Sequence, residues 1–241
     1  MESDHIEYDL EDSVKRISEI ISAGDLSYGE RDSIPARSDL TYTNGFYVMC
    51  SALFIDIRES SDLTDFHRTR VLVKLYRAYI SEVAAVMNGN KKCAEINVVG
   101  DCVSGIFDTP YRQDINDVFS TSAQISSIID IMNYRFKKNN MKEITIGIGM
   151  AYGKALMAKA GYRGSGINEV IWMGDVINEA SKLASYGNKD DSDAEIMISP
   201  TFYNSLNDDK KELLTLNSIR NCYHGNVVNA SMNNWYNQNC P

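Results

Sequence analysis

The first periodic pattern in the chain is helical. In residues 9–23, apolar side chains recur every three or four positions, which places them on one face of a helix. Gly24 is expected to end this amphipathic helix. The residues of its apolar face are Leu10, Val14, Ile17, Ile20 and Ile21.

The next stretch, residues 24–45, lacks any such period. It contains glycine, proline and asparagine together with scattered charges, a composition typical of loops. We therefore expect a connector that runs over the surface or reaches a partner subunit. With the first helix, it would form an N-terminal extension over residues 1–45.

The main domain is expected to begin near Phe46 and to span residues 46–241. The segment FYVMCSALFIDI is almost continuously apolar and rich in strand formers, which predicts a central strand that is buried on both faces and ends at Asp56. In CAEINVVGDCVSGIF, Gly100 and Asp101 separate two short strand-like runs, which predicts a tight hairpin.

Further elements complete a βαββαβ order with extra strands. Two helices packed against one antiparallel sheet form the ferredoxin-like arrangement, so we expect an α+β domain of that kind. The remaining predicted helices cover 66–88, 113–138 and 174–186, and the remaining predicted strands cover 143–158 and 168–173.

Composition narrows the possible partners and the cellular location. The chain has 241 residues and a formal net charge of -9, which disfavours nonspecific binding to nucleic acid or to an anionic membrane surface.

No apolar run approaches the ~20 residues that a membrane-spanning helix needs. The acidic start MESDHIEYDLED differs from a signal peptide, so a cytoplasmic location is expected. The five cysteines show no CxxC spacing and are interpreted as reduced packing residues.

Two aspartates are candidate metal ligands. Asp56 follows an apolar strand, where an ionised carboxylate is costly unless a cation pairs with it. Asp101 lies in the predicted hairpin turn, which antiparallel pairing could bring beside that strand. Two such carboxylates suit Mg²⁺ with substrate phosphates as further ligands. Taken singly, Asp101 could serve turn formation, and Asp56 could cap a helix or end the strand.

Three blocks resemble class III nucleotidyl cyclases in order and spacing across about 46–200. FIDIRESSDLT is similar to the first metal-binding strand of that family, INVVGDCVSGIF to its metal-binding hairpin, and MGDVINEASKLASYG to the helix with its transition-state residues. The resemblance implies a nucleoside triphosphate substrate and two Mg²⁺ or Mn²⁺ ions. Asp56 and Asp101 would bind the ions with help from the Ile57 carbonyl. It also implies an obligate homodimer with shared active sites.

The resemblance assigns catalytic roles to two residues on the last of these blocks. Asn178, supplied by the partner subunit, would orient the ribose. Lys182, one helical turn later, would place positive charge on the phosphate. The family usually has arginine there, and lysine lacks its bidentate fork. An ordinary solvated lysine is the structural alternative for Lys182.

By the same resemblance, the positions that would read the base fit neither purine pattern of the family. They hold Asn97 and Ile171, and Ile171 offers no hydrogen bond to a purine edge. The neighbouring Trp172 could fill the space of a second ring, or could be a plain core aromatic. The chain most resembles the pyrimidine cyclases of the bacterial Pycsar anti-phage system. This implies conversion of UTP or CTP into cyclic UMP or cyclic CMP, a signal for a separate effector protein. A purine cyclase and an inactive nucleotide-binding module are the alternatives.

The glycine-rich segment GYRGSG, residues 161–166, matches neither a phosphate-binding loop nor a dinucleotide fingerprint. It also lacks the strand-to-helix setting that those motifs need. We expect a flexible arm of the dimer, in which Arg163 contacts either phosphate or solvent.

Overall fold

The structure is a computed structural model that describes residues 5–24, 28–161 and 168–240. Arg163 and nearly all of the predicted arm loop lie outside these ranges. The helices are α1 (Leu10–Ile21), α2 (Ser60–Phe66), α3 (Thr69–Gly89), α4 (Arg112–Lys138), α5 (Asp175–Ala184), α6 (Pro200–Asn204), α7 (Asp208–Lys211) and α8 (Ala230–Asn239). The strands are β1 (Tyr28–Arg31), β2 (Gly45–Ile57), β3 (Cys93–Val99), β4 (Cys102–Asp108), β5 (Ile146–Gly161), β6 (Asn168–Met173), β7 (Ile196–Ile198), β8 (Thr215–Asn217) and β9 (Cys222–Gly225).

The described strands form a single sheet in the order β3-β4-β2-β5-β7-β9-β8, with β1 added to β2 and β6 added to β5. The central pair, β2 and β5, is antiparallel over the whole length of β2. The element order β2-α3-β3-β4-α4-β5 is the expected βαββαβ unit. The α+β, ferredoxin-like prediction is therefore confirmed.

Two local predictions differ from the structure. The expected connector contains a short strand, β1, which pairs in parallel with the start of β2 where β4 does not reach. Two of its four residues are charged and three are exposed, so they carry no strand pattern. The expected helix over 66–88 is α3, which begins three residues later, at Thr69, and the short helix α2 before it was not predicted.

The main core lies between the sheet and the helices α3 and α4. Side chains of β2 such as Leu53 and Ile55 are completely buried there, together with Tyr79 of α3 and Phe119 of α4. The run of apolar residues in β2 is explained by burial on both sides, because α5 packs on the opposite face. Among the described helices, none is long and apolar enough to cross a membrane.

The N-terminal helix behaves differently from these core helices. Its predicted bounds are confirmed within two residues, and Asp9 caps it by accepting a hydrogen bond from the backbone of Asp12. All five residues of its apolar face are exposed in the single chain.

Helix α5 approaches the sheet very closely because the strand beneath it lacks side chains. A methyl group on Gly149 of β5 would lie 2.1 Å from both the Ala180 carbonyl oxygen and the Ala184 backbone nitrogen. A methyl group on Gly147 would meet the Ala184 carbonyl oxygen at 2.3 Å. These glycines set the height of α5 above the sheet and thereby the position of every residue it carries.

We expect Gly149→Ala to destabilise the protein by about 1–3 kcal/mol or more, because the methyl group collides with helix backbone that cannot rotate away. Thermal unfolding measures this loss of stability. Gly89→Ala is the matched control, because nothing lies within 4 Å of the added methyl group. A variant of Gly149 with unchanged melting temperature would contradict the packing argument.

Candidate active site

The candidate site begins at the end of β2. The side chain of Asp56 is partly exposed there, and Nη2 of Arg58 donates a hydrogen bond to its Oδ2 at 2.5 Å. The other terminal nitrogen of Arg58 donates to the carbonyl oxygen of Ser185 at 2.8 Å. Arg58 therefore links the end of β2 to the residue that caps α5.

Asp101 lies where the hairpin was predicted. Val99 and Cys102 close the turn between β3 and β4, and Gly100 has a φ of 63°, which glycine adopts without strain. Strand β4 pairs with β2 as far as Ile55. The turn is thereby held beside the end of β2 and brings Asp101 near the other aspartate.

The electrostatics show that the two carboxylates interact. Burial raises the pKa of Asp56, the guanidinium of Arg58 lowers it, and the negative charge of Asp101 raises it further. Burial also raises the pKa of Cys102 to about 11, with contributions from both aspartates. The end of β2 is thus a region of concentrated negative charge that one arginine only partly neutralises.

This donor set suits a divalent metal ion that prefers oxygen. Two carboxylates are what Mg²⁺ and Mn²⁺ commonly take from a protein, with other ligands from water or substrate. Ile57, whose carbonyl was predicted to assist, is the last residue of β2 and lies between Asp56 and Arg58. Within the described residues, no three His, Cys, Asp or Glu side chains converge at a point that could hold a metal.

The predicted catalytic pair lies on helix α5. Asn178 and Lys182 are both exposed and lie one turn apart on the outer surface of α5. The Lys182 ammonium is 6.0 Å from the ring centre of Tyr186. In the described part of the chain, no hydrogen bond or ion pair joins this pair to Asp56 or Asp101. A site shared between two chains stays a prediction.

Asn97, a predicted base contact, belongs to a polar cluster that sequence reasoning missed. Its Nδ2 donates to Oε1 of Glu95 at 3.0 Å, and Glu95 also forms a 2.9 Å ion pair with Arg37. The signal available in the sequence was the charge of Glu95, two residues before Asn97 and therefore on the same face of the strand. Of the two residues, Glu95 is buried. Nothing in the sequence indicated Arg37.

The other two predicted base contacts face opposite sides of β6, as neighbours in a strand do. Trp172 packs against Phe46 and Met157, and part of its ring lines a cleft of about 630 Å³ that Arg37 and Glu95 also line. This packing agrees with the core-aromatic alternative. Ile171 is 37% exposed. A role for either residue in base contact stays a prediction.

Comparison with known proteins places the chain in a family. Residues 45–220 match the adenylate and guanylate cyclase catalytic domain. The chain belongs to this family. It is 39% identical to a uridylate cyclase from Gulbenkiania mobilis, over 99% of this chain and all of that protein. It is 31% identical to a uridylate cyclase from Treponema porcinum, over 97% of this chain and 82% of that protein.

Solved cyclase structures share the fold of this family member. The adenylyl cyclase CyaB from P. aeruginosa superposes with a TM-score of 0.60 at 20% identity, covering 71% of this chain and 85% of that chain. The guanylyl cyclase Cya2 superposes with a TM-score of 0.61 at 18% identity, covering 72% and 84%. Catalytic domains of this family bind nucleotides, generally use divalent metal ions and are often dimeric.

Proposed function

We propose that this family member is a uridylate cyclase, which converts UTP into 3′,5′-cyclic UMP and pyrophosphate. The observation that carries the proposal is that Asp56 and Asp101 lie close enough to interact electrostatically at the end of β2. The chain is also similar to two uridylate cyclases over nearly its whole length. In the reaction, the ribose 3′-oxygen bonds to the α-phosphorus and pyrophosphate leaves, while the hydroxyl proton passes to solvent.

The end of β2 would hold two Mg²⁺ or Mn²⁺ ions. Asp56 and Asp101 would supply carboxylate oxygens and Ile57 its carbonyl oxygen. When bound, such ions lower the pKa of the attacking hydroxyl and neutralise the triphosphate. Arg58 must release Asp56 as metal binds, and its hydrogen bond to the Ser185 carbonyl would hold the guanidinium beside the site.

The partner subunit would complete each site with α5. Asn178 would hydrogen-bond to the ribose and fix the direction of attack, and Lys182 would contribute positive charge to the phosphate in the transition state. Both side chains are exposed in the single chain, which supports the proposal that they act in the site of the partner subunit. We therefore propose a homodimer with two composite sites.

The substrate is tested by incubating the purified protein with ATP, GTP, CTP and UTP at equal concentrations with Mn²⁺ or Mg²⁺. We expect cyclic UMP to be the main product by chromatography and mass spectrometry. Asp56→Asn is the inactive control for contaminating cyclases. Mainly cyclic AMP or cyclic GMP would favour a purine cyclase, and no product would favour a nucleotide-binding module without turnover.

We further propose that the cyclic nucleotide acts in the cytoplasm as a second messenger in anti-phage defence, where a separate effector protein binds it. The support is the resemblance of the three sequence blocks to the pyrimidine cyclases of such systems. Cyclic UMP should rise in cells that express the wild-type chain and are infected with phage, and stay at background with Asp56→Asn. Equal levels with and without infection would contradict the defence role.

A further inference from the structure

A buried carboxylate lies next to the predicted base contact. Glu95 of β3 has a side chain that is 3% exposed, yet each of its two carboxylate oxygens has a polar partner. Oε2 pairs with Arg37 at 2.9 Å, and Oε1 accepts a hydrogen bond from the side chain of Asn97 at 3.0 Å. Burying a carboxylate is costly unless it is paired, and both partners here are defined.

The ion pair between Glu95 and Arg37 determines which way the Asn97 amide points. The Arg37 guanidinium offers only hydrogen-bond donors, and it pairs with the carboxylate of Glu95 at 2.9 Å. An ionised carboxylate has no proton and can only accept hydrogen bonds. Asn97 must therefore turn its amino group toward Glu95, although the two ends of an amide are otherwise interchangeable.

The free end of the amide is then its carbonyl oxygen. Asn97 is exposed, and β3 is the edge strand of the described sheet, so this oxygen is available to a ligand. The N3 position of uracil is a hydrogen-bond donor, which matches an acceptor oxygen. The N3 position of cytosine is an acceptor, and it would face the Asn97 oxygen without a proton between them.

We propose that Glu95, held in place by its ion pair with Arg37, is a positioning residue that locks the Asn97 amide and thereby selects UTP over CTP. This inference rests on the proposed function and names the residues that decide between the two pyrimidines. Asn97 alone decides little, because an amide free to rotate offers either a donor or an acceptor. The selectivity comes from Glu95 and Arg37, which together fix the orientation of the Asn97 amide.

The test is the ratio of kcat/KM for UTP to kcat/KM for CTP. Glu95→Gln has the same shape but offers both a donor and an acceptor, so Asn97 can rotate, and we expect the ratio to fall about tenfold or more. Arg37→Gln should lower it in the same direction, while Arg37→Lys, which keeps the charge, should retain it. Glu82→Gln, an exposed glutamate on α3, should leave the ratio unchanged.

A double-mutant cycle shows whether Glu95 acts through Asn97. In an Asn97→Ala background, Glu95→Gln should have no further effect on the ratio. A purely structural role would instead lower kcat/KM for both substrates alike and add to the Asn97→Ala effect.

The possible failures are separable. A wild-type protein that makes no cyclic UMP overturns the proposed function and this inference with it. A wild type that is selective for UTP, with an unchanged ratio in folded Glu95→Gln, overturns the inference alone. If thermal unfolding shows that Glu95→Gln is not folded, Arg37→Gln decides, because the Arg37 side chain is 60% exposed. An unchanged ratio in that variant overturns the inference.

Discussion

Replacement of Asp56 or Asp101 by asparagine should lower cyclisation by about 10³-fold or more while the fold is preserved. Asparagine keeps the shape of the side chain but removes the charge that a divalent ion requires. In the Asp56→Asn variant, the new amide oxygen could still accept the hydrogen bond that Arg58 now donates to the carboxylate. The loss should therefore appear in catalysis and in metal affinity, with little change in melting temperature. Initial rates of product formation and Mn²⁺ titration followed by electron paramagnetic resonance measure these effects.

Asp209→Asn is the matched control for this pair. It removes one negative charge from an exposed position on α7, so net charge changes equally without any change at the end of β2. Rates and Mn²⁺ binding should equal those of the wild type. Turnover close to wild type in folded Asp56→Asn or Asp101→Asn would refute the metal assignment, whatever the substrate.

The central elements of the fold could be predicted because their patterns are strong and local. Strand β2 is a long apolar run, and the hairpin before and after Gly100 combines two strand-like segments with a turn-forming pair. Strand β1 could not be predicted from its own sequence. It is a strand because it pairs with the first residues of β2, which β4 does not reach. The break between α2 and α3 likewise shows no proline or glycine in the sequence.

The same contrast separates the two parts of the candidate site. Asp56 and Asp101 are each attached to a predictable element, so antiparallel pairing was enough to expect them together. The interaction of Glu95 with Arg37 depends on how the chain before β2 folds back over β3, and no local pattern encodes it. The packing of Trp172 against Phe46 also depends on the tertiary structure, which is why the sequence left its role open.

The composite-site hypothesis predicts partial rescue between two inactive variants. An Asp56→Asn chain and an Asn178→Ala chain should each be inactive alone. In their heterodimer, one site combines both defects and the other has none. With random exchange at equal amounts, half of the dimers are mixed and half of their sites are intact, so about one quarter of wild-type activity should return. Native mass spectrometry of tagged chains measures the exchange.

The structure gives a physical reason to expect rescue rather than additive loss. Arg58 joins the end of β2 to Ser185 just beyond α5, and Asn178 lies seven residues earlier, roughly 10 Å along the helix axis. This spacing is the reason to expect that Asn178 acts on the substrate held at the partner's aspartates. Mixing Asp56→Asn with Asp101→Asn is the matched control: both changes fall in the same half-site, so each mixed site keeps one defect and no activity should return. Absence of rescue in the first mixture, despite proven subunit exchange, would place all catalytic groups within one chain and contradict the hypothesis.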